Sequence, residues 1–134
     1  MASIQTIEGV GASHAKKLAK AGIRSVEGLL KLCCDKKGRK AAAKDSGFSE
    51  STLLKWANFA DLMRIKGVGE EYSELLEAAG VDTVKELKMR RADNLAEALA
   101  KANKRKKLVR RVPSEKVVAG WIRHAKRLKP VIRH

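Results

Sequence analysis

Aromatic side chains make up only 4% of this 134-residue chain. No apolar run approaches the ~20 residues that a membrane-spanning helix needs. The start, Met1-Ala2-Ser3-Ile4-Gln5, has neither the basic nor the apolar region of a signal peptide, so the expected location is cytoplasmic. No segment sustains period-two alternation, which argues against strands. The two cysteines, Cys33 and Cys34, are adjacent. A disulfide between neighbours is strained, and there is no second pair with zinc-ligand spacing, so both are read as reduced, at least one in the core. His14, His124 and His134 are scattered without metal-ligand spacing. Each reads as a core or surface histidine. No paired carboxylates and no Ser-His or Cys-His arrangement can be defended, so no catalytic residue, metal or cofactor is expected and the chain reads as a non-enzyme.

What remains is apolar aliphatic and basic. Hydrophobic residues make up 44% of the chain, mostly Ala and Leu, which reads as all-helical. The length suits one domain, or two very small ones sharing a core. The formal net charge is +15 and the isoelectric point about 10.2. Such an excess points to a polyanionic partner, nucleic acid ahead of an anionic membrane surface. The plainer alternative is a solvated lysine-rich surface.

One phrase occurs twice, 58 residues apart. Ile7-Glu8-Gly9-Val10-Gly11 returns as Ile65-Lys66-Gly67-Val68-Gly69, and Ala21-Gly22-Ile23 as Ala79-Gly80-Val81. Ser25-Val26 and Leu29 return as Thr83-Val84 and Leu87. Later, Ser49-Glu50, Leu53 and Trp56 return as Ser114-Glu115, Val118 and Trp121, 65 residues on. About seven extra residues therefore fall in or beside Lys101–Arg111. Two glycines around one aliphatic residue, followed by a small residue at Ala15 or Ser73 and a leucine at Leu18 or Leu76, mark a helix-hairpin-helix turn. Glycine allows the tight turn, the valine pins it to the core, and the next helix offers backbone N–H groups to a phosphate. The expectation is a compact all-α domain of two helix-hairpin-helix-like repeats in tandem, at about 4–60 and 62–128.

Caps and periodicity place helices at about 10–21, at Ser25–Leu32 and over about 15 residues from Ser49, with a short helix or turn at Lys36–Lys44. Others follow at about 69–79, from the Thr83–Glu86 capping box, at Ala92–Lys107, and from Ser114 until Pro130 stops the last. Trp56 and Trp121 lie on apolar helix faces and read as core anchors, not base-stacking platforms.

The two turns are not alike. The first has only six residues before Ile7, but His14, Lys16, Lys17 and Lys20 follow it. The second has a full helix before it and Glu70, Glu71, Glu74 and Glu77 after it. Acids suit a helix N-terminus but repel a phosphate. Gly67, Val68 and Gly69 therefore read as a structural connector, while Gly9, Gly11, Lys16 and Lys17 are the candidate phosphate contacts. Residues 101–129 hold twelve basic side chains against Glu115 alone. Lys104, Arg105, Lys106, Lys107, Arg110 and Arg111 are the densest part. Binding there would be independent of sequence and steeply salt-dependent. No exposed aromatics interleave with it, which disfavours stacking on single-stranded bases.

The phrase Asp61-Leu62-Met63-Arg64-Ile65-Lys66-Gly67-Val68-Gly69, with Tyr72, Leu75-Leu76, Ala79-Gly80-Val81-Asp82-Thr83-Val84 and Leu87, resembles a bacterial family of unknown function. This is the domain-of-unknown-function family four-three-three-two, of the helix-hairpin-helix group. Pro113-Ser114, Trp121-Ile122 and Ala125-Lys126 fit it too. The resemblance covers nearly the whole chain and implies an all-helical fold with hairpin repeats, and no established activity. By analogy with the wider group it implies nucleic-acid binding. The expected partner is nucleic acid, DNA more than RNA, bound by a monomer or weak homodimer with no membrane role. The alternative is a protein-interaction or scaffold module whose acidic 70–79 helix and basic C-terminal half meet oppositely charged partners or a second copy of the chain.

Overall fold

Glycine turns and side-chain caps divide this chain into short helices. The computed structural model describes residues 3–7 and 9–134. Among them are a 3-10 turn (Ile4–Thr6) and eight α-helices. These are α1 (Ala12–Lys20), α2 (Val26–Cys33), α3 (Lys36–Ser46), α4 (Glu50–Leu62), α5 (Glu70–Ala78), α6 (Val84–Leu87), α7 (Ala92–Lys106) and α8 (Glu115–Arg127). Their only β-type pairing is an isolated bridge between Ser3 and Ser25. No described helix is long and apolar enough to cross a membrane.

The chain forms two compact units, Met1–Asp61 with Val131–His134, and Leu62–Pro130. In the first, α3 packs on α1 and α2, and the 3-10 turn packs on the same two helices. Ile7, Leu18, Ile23, Leu29, Leu53 and Phe59 are its largest fully buried side chains. In the second, α7 packs on α8 and α5, and α6 on α8, around Leu75, Leu76, Leu95, Leu99, Val118 and Trp121.

Polar side chains start the helices. Ser25 accepts from Gly28 N–H at 2.9 Å, and Asp35 from Gly38 N–H at 2.8 Å. Ser49 accepts from Thr52 N–H at 3.1 Å, and Ser114 from Val117 N–H at 3.2 Å. Each satisfies an amide that has no partner one turn back, typically worth ~1 kcal/mol. Asp35 adds a cap before α3. Gly38 follows it because a β-carbon there would overlap the carbonyl of Leu32. Thr83 accepts from Glu86 N–H at 3.3 Å as expected, yet α6 is only four residues long.

Two long-range features had no sequence signal. Buried Arg39 donates to the carbonyl of Cys33 at 3.0 Å and to that of Arg133 at 2.8 Å. Arg133 N–H donates to Cys34 O at 2.6 Å, and Ile132 is buried. The C-terminal four residues thus belong to the first unit, held by a guanidinium among carbonyls. In the second unit, Lys88 Nζ donates to Leu128 O at 3.0 Å and Arg64 to Lys129 O at 2.9 Å. These cations bond carbonyls just past the end of α8.

Candidate nucleic-acid interface

The first turn is built on a positive φ at Gly9, 90°, and the second on 92° at Gly67. Val10 N–H donates to Ile7 O and Val68 N–H to Ile65 O, both at 3.0 Å. Both valines are buried, 4% exposed. Gly11 and Gly69 then cap α1 and α5 with extended backbone and no side-chain bond. The helices also end alike. Gly22 and Ile23 N–H return to Ala19 O and Leu18 O, and Gly80 and Val81 N–H to Glu77 O and Leu76 O, at 2.9–3.0 Å. That pair of bonds is a Schellman closure.

A tryptophan backs each turn. A β-carbon on Gly9 would lie 3.5 Å from Trp56 Nε1, and one on Gly67 3.4 Å from Trp121 Nε1. Both indoles are buried, at 5% and 4% exposed, which makes them core anchors. Around Trp56 the ring contacts continue. Phe48 meets it edge-on with centroids 4.8 Å apart, and His14 meets Phe48 at 5.1 Å. His14 Nδ1 lies 3.0 Å from Gly9 O, a contact that requires a proton on Nδ1. Tyr72, in the register of His14, meets Trp121 at a tilt, with ring centroids 5.3 Å apart. There the turn bond comes from elsewhere: Lys66 N–H donates to His124 Nδ1 at 3.1 Å.

The chemistry beyond the turns diverges. Gly9, Gly11, Lys16 and Lys17 are all solvent-exposed. The first amides of α1 have no carbonyl one turn back. Lys17 Nζ sits 5.6 Å over the Phe48 ring, which steadies its stem. An open groove of about 380 Å³ runs beside α1, with Ala12, Ala15, Lys16, Ala19 and Arg24 among its lining residues. Arg24 and Phe48 were not singled out in the sequence. Arg24 had one signal: its register partner is Asp82. At the second turn the same face carries Glu70, Ser73, Glu74, Glu77 and Asp82. Ser73 is buried, its hydroxyl donating to Glu70 O at 2.9 Å.

In the second unit Lys104, Arg105 and Lys106 form the last turn of α7, where cations suit the helix dipole. Lys107 ends the helix with φ 50°. All four are exposed, as are Arg110 and Arg111. The loop after α7 is tethered. Asn103 Nδ2 donates to Val109 O at 3.0 Å, and Val109 N–H returns to Asn103 Oδ1 at 2.9 Å. Tyr72 Oη donates to Arg111 O at 3.2 Å. The predicted residues thus fall into two sets, one on the first turn and α1, the other at the end of α7 and its loop.

Cys33 is buried and Cys34 half-buried, both free. Burial pushes the Cys33 thiol up to about 11, against the smaller opposing pull of Arg39. Such a thiol is an inert core residue at neutral pH. Among the described residues, no group of three His, Cys, Asp or Glu side chains converges as metal ligands.

These features define an all-α protein with glycine-turned helix starts backed by tryptophan. The family model described as Domain of unknown function (DUF4332) matches residues 8–128, and the chain belongs to that family. No curated protein and no solved structure matches the chain.

Proposed function

We propose that the protein is a helix-hairpin-helix module that binds nucleic acid, DNA more than RNA, without sequence preference. In this reading the two turns are diverged copies of one hairpin. The first binds: α1 amides beyond Gly9 and Gly11 face a backbone phosphate, with Lys16 and Lys17 beside it. Lys104–Lys107, Arg110 and Arg111 add contacts by counterion release. The second turn, with Gly67, Val68 and Gly69, is a connector. The protein works in the cytoplasm, as a monomer or weak dimer, and carries no catalytic centre. The observation that carries this reading is the uncapped, exposed start of α1, with Lys16 and Lys17 exposed further along the same short helix.

Fluorescence anisotropy with duplex and single-stranded DNA at two salt concentrations tests it. Micromolar or tighter binding that weakens steeply with salt is expected. Lys16→Glu with Lys17→Glu lowers affinity and flattens the salt slope by about one per lysine. Absence of binding at low salt sinks the reading. The acidic run on α5 favours a second one, a scaffold module for a basic protein partner. Residues 70–86 hold six acids against Lys85. A single stoichiometric partner in a pull-down, without DNA binding, is its signature.

A further inference from the structure

An open cleft of about 510 Å³ lies between the start of α7 and α8. Ala92, Ala119 and Ile122 form its apolar floor, and Arg90, Arg91, Arg123 and Lys126 stand around it. We propose that this cleft holds a backbone phosphodiester of the bound nucleic acid, a contact of the second unit distinct from the Lys104–Arg111 tract. The proposal rests on the nucleic-acid reading above.

The charges of the cleft are not self-cancelling. Four cations face Asp93 and Glu115. Asp93 is already engaged: it accepts from Asn94 N–H at 2.8 Å and from Arg91 at 3.0 Å. Arg90 donates to Gly80 O at 3.2 Å, a neutral acceptor that orients the guanidinium and leaves its charge in place. Arg123 and Lys126 are exposed and one helical turn apart, on the α8 face that carries Ala119 and Ile122. Guanidinium forks match phosphate oxygens, and small floor residues admit the flank of a sugar.

Register sharpens the assignment. The α4 positions matching Arg123 and Lys126, 65 residues earlier, are Asn58 and Asp61. The first unit has its cations at the turn, and the second has acids there and cations on its tryptophan-bearing helix. The 15 residues of α7 span about 22 Å. The cleft at its start and the basic tract at its end therefore reach different phosphates, and their salt effects add.

The test uses the full chain. Arg123→Glu with Lys126→Glu is compared with Lys36→Glu and Lys37→Glu, an equal charge change at exposed positions of the first unit. Helicity by circular dichroism verifies folding, and the milder Arg123→Gln with Lys126→Gln replaces the pair if reversal unfolds the chain. With duplex DNA between about 50 and 200 mM salt, the cleft variant flattens the slope by about two and the control leaves it unchanged. Duplex DNA also shifts the amide resonances of Ala92 and Ala119. If the wild type binds DNA but cleft variant and control behave alike, the cleft assignment falls and the first-turn reading stands. If the wild type binds no DNA, both fall. If a mononucleotide or inorganic phosphate saturates the Ala92 and Ala119 shifts while duplex DNA leaves them still, the site belongs to a free phosphate ligand and the proposal is overturned.

Discussion

The turns at Gly9 and Gly67 share a backbone and differ in everything that faces outward from it. Positive φ, inward valine, uncapped helix start, Schellman closure and a backing indole recur, with φ of 90° and 92° at the turn glycines and matching bonds within tenths of an ångström. The first helix then carries Lys16, Lys17 and Lys20, and the second Glu70, Glu71, Glu74 and Glu77. Geometry and surface charge are thus separable in this fold. The turn is specified by glycines and buried apolar groups, which leaves exposed positions free to diverge. The presence of such a turn therefore says little about whether it binds.

The largest test of the shared part removes the indoles. Trp56→Ala and Trp121→Ala each open a cavity behind a turn, and each is expected to cost about 3–5 kcal/mol by urea denaturation. Losses that differ by more than ~2 kcal/mol would mean the turns are not supported alike. A smaller effect is expected at the turns themselves. Gly9→Ala and Gly67→Ala meet only ordinary contacts with the indole nitrogens, so the cost is backbone strain. About 1–2 kcal/mol is expected for each, the two agreeing within ~0.5 kcal/mol. A thermal melt in which one substitution is silent breaks the equivalence.

Local chemistry explains how much of this was readable from the chain. A Gly-φ-Gly turn, a serine cap and a glycine helix end each need only a few neighbouring residues, and helix starts were accordingly legible. A cap marks where a helix begins but not where it stops, so the Thr83 box did not reveal that α6 is a single turn. Arg39 reaches Arg133 across 94 residues, and no local pattern signals such a contact. The same holds for the candidate site. Lys16 and Lys17 were visible because a polar helix face declares itself by period. Phe48 under Lys17 and the Arg90–Lys126 cleft depend on which elements meet. Asp35 is legible in principle, as an acid immediately before a helix.

The smallest expected effects bear on the part that differs. Ser13 and Glu71 occupy the same register, exposed in the first turns of α1 and α5. Ser13→Glu adds an acid where the helix dipole favours one, and Glu71→Lys removes one. Stability is expected to rise by about 0.3–1 kcal/mol in the first and fall by as much in the second, read from urea midpoints. DNA affinity moves the opposite way: Ser13→Glu weakens binding, and Glu71→Lys strengthens it with a salt slope steeper by about one. The opposition matters because an effect on folding alone would move both readouts in the same direction. Unchanged affinity in Ser13→Glu would remove the first turn from the interface. Stronger binding in Glu71→Lys would show that acids, not geometry, keep the second turn off DNA.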